Sequence, residues 1–492
     1  MRGARTWAAA VAVAAGLLLV SAGAAETILA HPISNDPYTN TNGDVQHRTQ
    51  VEPDSFAFGN TIVAVTQSGR YVNGGGASNL VFSSSQDAGK TWTTGGMPGG
   101  TVWEGGTWPR ISDPSIAYDP EHDVWLFLGL GIDAGGSGHI LLVDRSTDDG
   151  LTWSGPVNAG ESSGSFWDKT WITCDTWAAS PHYGNCYIQF DDNGQGNAMK
   201  MVTSTDGGVT WGPVRDAGCS SGLGGQPVVQ PNGNVIVPFS ANGGAQYSIR
   251  STDGGTTWGG CTLITGVNEH NVAGSMRTFS LPSAEVAGDG RVYVAWQDCR
   301  FRSGCPANDI VYSSSLDGLT WSAVTRIPID PTNSNIDHFL PGIAVDKSTS
   351  GDTTHLAVGY YYFPVSNCTN ATCELTFGFV SSLDAGATWT TGRAVTGPMR
   401  VTWIANTNQG RMVGDYTSTS FTADGKAHPV FSWAKPPDNS ASCSHTVPCR
   451  QRLSTATFDI TAPPLTPRRK SETGPVYPRI KPKRPARLVT AN

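Results

Sequence analysis

An eight-residue pattern, Ser-x-Asp-x-Gly-x-Thr-Trp, recurs along the chain and constrains the fold more than any other feature. Five full copies and one that is a residue shorter end at Trp92, Trp153, Trp211, Trp258, Trp389 and, for the short copy, Trp321. In a tight turn the Ser and Asp side chains bond backbone N–H groups, the Gly adopts φ > 0 and the Trp buries a large ring. The copies therefore predict a repeated hairpin and a repeat architecture.

The segments between these turns have the alternating apolar pattern of short β-strands. Strands are predicted most clearly at 281–286, 291–296 and 309–313, with a fourth after Trp321. Successive Trp residues are 61, 58, 47, 63 and 68 positions apart, and no helical periodicity follows residue 25. Four-stranded units repeated around an axis predict an all-β fold, a β-propeller of four-stranded antiparallel blades.

Seven blades are favoured, with six as the alternative. Six units end in the turn pattern, and a seventh without it contains strand-like segments at 410–416, 428–433 and 450–458. This last unit has only three predicted strands. The segment 26–37 is the candidate for its fourth strand, which would complete the last blade and protect its edge.

Two terminal segments differ from the repeat region, which spans 26–460. Residues 1–25 carry Arg2 and Arg5, then an apolar run and small residues, so we expect a signal peptide and a secreted, extracellular protein without a membrane span. Residues 461–492 are Pro-rich with eight basic residues against one acid, so we expect a disordered tail. Contact of the tail with an anionic cell wall and a tail without a role both stay open.

The charge of the repeat region argues against nucleic acid as a partner. The whole chain has a net charge of −8, and residues 1–460 without the basic tail carry −15. No Cys-x-x-Cys pair is present, so we expect no zinc site, and we expect no other metal and no cofactor. The acidic run at 191–194 is typical of a calcium loop or of a hairpin turn, and the hairpin is favoured.

Ten cysteines, an even number in a chain expected to be exported, predict disulfides. Sequence does not fix their connectivity, and pairing of neighbours is the natural choice. The neighbouring pairs are Cys174/Cys186, Cys219/Cys261, Cys299/Cys305, Cys368/Cys373 and Cys443/Cys449.

The turn pattern resembles the Asp-box (BNR) repeats of the sialidase superfamily, over nearly all of residues 45–460. The segments 168–171, 292–298 and 414–416 are also similar to secreted bacterial sialidase-like propellers. The resemblance implies that the Asp boxes are structural and lie on the turn between third and fourth strands, away from the usual active site. The candidate site is then the opposite mouth, where the links into each first strand lie.

Polar residues before the predicted first strands therefore form the candidate site. They are His47, Arg48, Glu52, Arg110, Asp113, Asp168, Lys169, Glu269, His270, Arg277, Asp337, His338, Arg411, Asp415 and Tyr416, with Asp298 and Arg300 at a link between second and third strands.

The resemblance implies a glycoside hydrolase acting on an acidic sugar, an exo-α-sialidase-like enzyme. Three Arg clamp the sugar carboxylate, an Asp is the general acid, and a Tyr activated by a Glu is the nucleophile. The matching candidates are Arg110, Arg277 and Arg411 for the clamp, Asp113 or Asp168 for the acid, Tyr416 or Tyr361 for the nucleophile, Glu269 or Glu52 for the activator, and Arg300 and His338 as further substrate-binding residues.

Two other functions stay open. The Phe/Tyr-Arg-Ile-Pro sequence that holds the first clamp Arg in the superfamily is absent here, which favours a non-catalytic propeller that binds carbohydrate or protein. A polysaccharide lyase on the same fold would use a Tyr/His pair and an Arg. Some of these candidates can also have a purely structural role. Arg110 and Asp113 can form an ion pair that fixes a loop, and segment 168–171 can connect adjacent blades. Segment 414–416 can be a turn with a core Tyr, and His338 can be a structural residue.

Overall fold

The computed structural model describes residues 30–38, 44–241 and 244–461. The predicted signal peptide and all but the first residue of the predicted tail lie outside these ranges. Within the described ranges the chain is all-β, and its helical turns are short 3-10 segments at Val102–Glu104, Asn193–Gln195, Gly351–Thr353 and Val401–Trp403. None of the helices found there has the length and apolarity that a membrane crossing needs.

In chain order the antiparallel strands fall into seven groups, here called units, and the first three units are joined in one twelve-stranded sheet. The chain opens with β1 (His31–Pro32). Unit 1 holds β2 (Val45–Phe58), β3 (Thr61–Tyr71), β4 (Ala77–Ser85) and β5 (Thr93–Gly96); unit 2 holds β6 (Arg110–Asp119), β7 (Val124–Ile132), β8 (Gly138–Ser146) and β9 (Val157–Glu161); unit 3 holds β10 (Trp167–Cys174), β11 (Cys186–Asp192), β12 (Ala198–Ser204) and β13 (Arg215–Asp216).

The next three units repeat the order. Unit 4 holds β14 (Val228–Val229), β15 (Val235–Ala241), β16 (Ala245–Ser251) and β17 (Thr262–Gly266); unit 5 holds β18 (Ser283–Val286), β19 (Val292–Asp298), β20 (Asp309–Ser315) and β21 (Thr325–Arg326); unit 6 holds β22 (Asp337–Val345), β23 (Leu356–Phe363), β24 (Glu374–Ser382) and β25 (Arg393–Ala394), with β26 (Met399–Arg400) also on β24. A hairpin of β27 (Ala405–Thr407) and β28 (Gly410–Met412) follows.

The seventh unit joins both ends of the described chain. It holds β29 (Ser418–Phe421), β30 (Lys426–Ala434) and β31 (Gln451–Thr455), with β32 (Phe458–Asp459) also on β30. β1 pairs antiparallel with β31, His31 opposite Thr455, so the segment predicted to supply the fourth strand does so.

One predicted strand is wrong in part. The segment 410–416 is predicted to be a strand of the seventh unit, but only Gly410–Met412 is extended, and it pairs with β27 outside unit 7. Gly414 has φ 145° and lies so close to Glu52 that an added Cβ would sit 2.7 Å from the Glu52 backbone. This close approach bends the chain there, and the first strand of unit 7 starts at Ser418.

The six turns have the hydrogen bonds that their residues predict. Ser204 Oγ donates to Asp206 Oδ1 at 2.9 Å and accepts from Gly208 N at 3.0 Å, and Thr210 N donates to Asp206 Oδ1 at 2.9 Å. The other copies repeat the Ser–Asp and Asp–Thr bonds, and each turn joins the third and fourth strands of its unit. We call them the Asp turns.

Apolar side chains of neighbouring units pack against one another and form the core. Between units 1 and 2, for example, Val65 and Phe82 pack with Ile116 and Phe127. Full burial of one such side chain contributes about 1.5–3 kcal/mol. The five neighbouring cysteine pairs are all disulfides, as predicted.

The first strands of the units lie side by side in chain order. Each first strand contacts the first strand of the next unit, in the order β2, β6, β10, β14, β18, β22 and β29. The last of them, β29, also contacts β2. A narrow cavity of about 30 Å³ touches all seven of these strands, from Asp54 on β2 to Ser418 on β29. Because third strands run parallel to first strands, the Asp turns lie at the end opposite to the starts of the first strands.

Candidate functional site

Bulges in the first strands aim charged side chains towards a common centre. Glu52, Asp113 and Lys169 have φ of 55°, 48° and 53°, and each lies where the pairing of its strand with the next one shifts register. Positive φ is uncommon for such residues and is retained where the surrounding structure fixes it, often at functional sites. A bulge adds a residue to the strand and re-aims its side chain.

Lys169 is the centre of a buried ion cluster that joins three units. Its Nζ lies 2.5 Å from Asp415 Oδ2 and 3.9 Å from both Asp113 Oδ1 and Asp168 Oδ1. Only 4% of the Lys169 side chain is exposed. A buried ammonium needs such partners, because its desolvation is costly.

Arg277 shares Asp415 with Lys169. Its Nε donates to Asp415 Oδ1 at 2.6 Å and its Nη2 donates to Asp415 Oδ2, which makes a bidentate pair. Burial alone raises the pKa of Asp415, but the charges of Arg277 and Lys169 outweigh it and hold the pKa well below its usual range. Asp415 is therefore ionised and fully engaged. Glu52, Asp113, Asp168, Lys169, Arg277 and Asp415 are called the charged cluster below.

Glu52 is the acid of the cluster that stays protonated. Burial and the nearby charge of Asp415 raise the pKa of Glu52 to about 8. Its side chain accepts a hydrogen bond from Gln67 Nε2, and the residue is 1% exposed.

Asp168 is the carboxyl group of the cluster that reaches solvent. It is recessed among protein groups, but 29% of its side chain is exposed, against 1% or less for Asp113 and Asp415. Burial raises the pKa of Asp168 to about 6; Lys169 opposes this shift and Asp113 adds to it. The group therefore changes charge close to neutral pH.

Tyr416 lies beside the cluster in a neutral, packed position. Its hydroxyl donates to the Pro114 carbonyl at 3.3 Å, and its ring meets the Trp171 ring edge-on at a centroid distance of 5.0 Å. Burial, with the charges of Glu52 and Asp113, raises its pKa well above the usual range. Of the two predicted activators, Glu52 is the one that affects the pKa of Tyr416, and it does so only once Glu52 is itself ionised, above about pH 8. Tyr361, the other predicted nucleophile, is buried and bonds the Ser432 backbone.

The side chains of the three Arg predicted as a clamp have different partners. Arg110 donates to the carbonyls of Asn73 at 2.8 Å and Ala134 at 3.3 Å and lies 4.0 Å over the Tyr71 ring. Arg411 donates to the Ile404 carbonyl at 3.0 Å. Of these three side chains only that of Arg277 joins the cluster. The backbones of Arg277 and Arg411 are neighbours, because Arg277 N donates to the Arg411 carbonyl at 2.8 Å. The three-Arg clamp stays a prediction. Arg110 does pin loops, but through carbonyls rather than through Asp113.

The remaining predicted site residues lie outside the cluster. Arg300 pairs with Asp298 at 2.6 Å and bonds Thr265, and Glu269 accepts from Gln297. Burial raises the pKa of Glu269, but Tyr416 is not among its partners. His338 is 1% exposed and packs against two Tyr rings, as in its structural reading.

His338 also belongs to the one group in the described ranges whose atoms are close enough to hold a metal. Atoms of Asp309, Asp330 and His338 lie within 4.8 Å of one another. The guanidinium groups of Arg302 and Arg326 already bond both carboxylates, at 2.7–2.9 Å, so the charges there are satisfied by ion pairs. The acidic run at 191–194 is a hairpin turn between β11 and β12, as favoured.

Two buried charged residues beside the cluster escaped sequence reasoning as site residues. Arg70 on β3 is 2% exposed and bonds the carbonyls of Tyr71 and Gly76. Asp191 on β11 is fully buried. Arg70 is the only charged residue of its strand, whereas Asp191 is followed by Asp192, and a charge in a buried strand was the available signal.

Comparison with known proteins identifies solved structures that are similar to this chain in fold. No known protein family and no curated protein matches the sequence. A protein of unknown function from Dyadobacter fermentans is 17% identical, with 72% of this chain and 99% of that chain covered and a TM-score of 0.45. The Hadza microbial sialidase Hz136 is 13% identical, with 85% and 67% covered and a TM-score of 0.46.

A third similar structure is the NanB sialidase of Streptococcus pneumoniae. It is 14% identical, with 88% of this chain and 71% of that chain covered and a TM-score of 0.43. Sialidases are thus among the similar structures, as the resemblance of the Asp turns leads one to expect. At these identities and TM-scores the similarity assigns neither residues nor activity.

Proposed function

We propose that the protein is a secreted glycoside hydrolase that acts at the charged cluster with Asp168 as its proton donor. One observation carries the proposal: Asp168 is open to solvent and its pKa is raised to about 6. A carboxyl group that is still partly protonated near neutral pH can protonate the oxygen of a leaving sugar. The five disulfides are compatible with an extracellular location.

The proposal includes closure of the seven units into a seven-bladed propeller. The contact between β29 and β2 and the cavity touching all seven first strands support closure around one axis. In such a ring the charged cluster would stand at the mouth opposite to the Asp turns. Pairing of β1 with β31 would complete the last blade.

Asp113 is a second carboxyl group close to Asp168. Asp113 Oδ1 and Asp168 Oδ1 both lie 3.9 Å from Lys169 Nζ, so they are at most about 8 Å apart. Separations of about 6.5–9.5 Å are typical of inverting glycosidases and about 5–5.5 Å of retaining ones. Asp113 is therefore the partner that we assign to Asp168, in place of a Tyr416 nucleophile.

The cations of the cluster favour an acidic sugar. Asp415 accepts from Nε and Nη2 of Arg277, and Nη1 makes no hydrogen bond to the described residues. A sugar carboxylate that approached Nη1 would gain a charge-assisted hydrogen bond. The side chain of Arg277 is 10% exposed, which leaves an edge for this contact.

A non-catalytic glycan-binding propeller is the second candidate. The different side-chain partners of Arg110, Arg277 and Arg411 support it, because the three Arg of a sialidase-type clamp bind one carboxylate.

The test is a screen of purified protein against sialosides, uronate polysaccharides and aryl glycosides, with Asp168→Asn and Asp206→Asn compared. We expect Asp168→Asn to lose about 10²–10⁴-fold in kcat/KM, the usual contribution of a general acid. Asp206→Asn alters an Asp turn at the other end and should keep its activity. A flat screen with a folded protein rejects the hydrolase, and glycan binding in that case supports the binding propeller.

A further inference from the structure

Asp191 is a buried carboxyl group without a hydrogen-bond partner. It is 0% exposed, and neither of its oxygens accepts a hydrogen bond from any residue that the structure describes. An ionised carboxylate in such a place would be strongly destabilising, because no donor replaces the lost water. The group therefore needs a proton or an unseen cation.

The strand register places Asp191 opposite Asp168. Asp168 on β10 pairs with Asp191 on β11, in step with the pairing of Trp167 and Asp192. Directly opposite residues of antiparallel strands point to the same face, with Cβ atoms about 4.5–5.5 Å apart. Two carboxyl groups at this distance can share a hydrogen bond only if one of them is protonated.

Neighbouring charges leave Asp191 without an ionic partner. On β10, Lys169 directs its Nζ to Asp415, with Asp113 and Asp168 next nearest. On its own strand, Asp192 accepts from the side chains of Ser165 and Gln195. On β12 the residue opposite Asp191 is the apolar Met199. Burial, with the negative charge of Asp168 next, raises the pKa of Asp191 well above its usual range.

We propose that Asp191 is a neutral carboxylic acid that donates a hydrogen bond to Asp168 and so acts as a positioning residue for the proposed general acid. When Asp168 gives its proton to the glycosidic oxygen, it becomes a carboxylate. The O–H of Asp191 then stabilises that new charge without leaving Asp191, and Asp168 regains a proton from water. The catalytic part rests on the proposed function, whereas the protonation of Asp191 does not.

The protonation is tested by infrared difference spectroscopy of the full folded protein at neutral pH, wild type against Asp191→Asn. We expect the wild type to show the carbonyl stretch of a protonated carboxyl group that the variant lacks. The melting temperature of the variant should rise relative to that of the wild type between pH 5 and pH 9, because over this range Asp191 is ionised in the unfolded wild type but protonated in the folded protein. Absence of the band, or a melting temperature lowered by a chelator and restored by Ca²⁺, overturns the inference in favour of a bound cation.

The positioning role is tested by comparing Asp191→Asn with Asp191→Leu. The amide still donates a hydrogen bond to Asp168, so Asp191→Asn should stay within about 3-fold of wild-type kcat, whereas Asp191→Leu should lose about 10-fold or more. Without its donor the Asp168 carboxylate is less stable, so Asp191→Leu should move the alkaline limb of the pH–rate profile upward. Equal losses in both variants with an unmoved limb overturn the role. If the band is present but no glycoside is cleaved, the proposed function fails and the protonation of Asp191 stands.

Discussion

Aspartates at the two ends of the units have opposite titration behaviour. In the Asp turns, backbone and side-chain hydrogen bonds from Thr91 lower the pKa of Asp87 to about 2. In the charged cluster, burial raises the pKa of Asp168 to about 6. The surroundings of an Asp side chain therefore decide whether it stays charged, as in the turns, or is still partly protonated near neutral pH, as the proposed role of Asp168 requires.

The largest expected effect comes from removing the anion that two buried cations share. Asp415→Ala leaves Lys169 and Arg277 buried without their closest partner, so the free energy of unfolding should fall by about 3–5 kcal/mol. Urea unfolding of the two proteins measures it. The exposed pair of Arg48 and Asp438 is the control, and Asp438→Ala should leave the midpoint unchanged. A small loss in Asp415→Ala would mean that water reaches the cluster and that its two cations are not desolvated.

The second-largest expected effect tests whether the pKa of Glu52 in the charged cluster is raised by folding. The folded pKa of Glu52 is about 8, above the ordinary value of 4.5, so its contribution is fully present below pH 4.5 and is lost as the pH rises through 8. Urea midpoints at pH 5, 7 and 9 should fall towards pH 9 in the wild type. Between pH 5 and pH 9 the free energy of unfolding of Glu52→Gln should fall less than that of the wild type, by a few kcal/mol. Parallel pH curves for the two proteins would show that Glu52 is ionised in the folded protein.

The smallest expected effect tests whether folding lowers the pKa of Asp206 in an Asp turn, which is the opposite direction to the shift of Glu52. Asp206→Ala removes the acceptor for Thr210 and Ser204, and we expect a loss of about 1 kcal/mol at pH 7. The hydrogen bonds hold the pKa of Asp206 below its usual value although burial opposes them, so this contribution is lost as the pH falls below about 4. Thermal melts at pH 7 and pH 3 measure the difference between variant and wild type. A difference that persists at pH 3 would show that the ionised carboxylate is not what stabilises the turn; Asp352→Ala, at an exposed residue outside the turns, is the control.

The features that the sequence predicts correctly are mainly those set by interactions between residues close together in the chain. The bonds of Ser204, Asp206 and Thr210 span a few residues, so the motif alone fixes them. The disulfides joined neighbours, and the segment at His31 supplied the missing strand. Alternation also located most strands, because their buried faces carry the apolar residues.

Sequence could not predict which candidates meet. Arg110 and Arg277 stand before equivalent strands, yet one bonds backbone carbonyls and the other bonds Asp415, 138 positions away. The bulge at Lys169 and the bend at Gly414 depend on neighbouring units and leave no local pattern. The buried Asp191 became informative only when the register placed it opposite Asp168.

The pairing of β1 with β31 has a consequence for the order in which the chain folds. Units 1 to 6 are each made of strands close together in sequence and can form while the chain is still being synthesised. The last sheet needs His31 and Thr455 together, so it is completed only after almost the whole described chain has emerged. Until β31 has formed, the edge of β30 that it covers is open to strands of other chains. A chain truncated before residue 451 should accordingly be an aggregation-prone, open array, which limited proteolysis and light scattering would reveal.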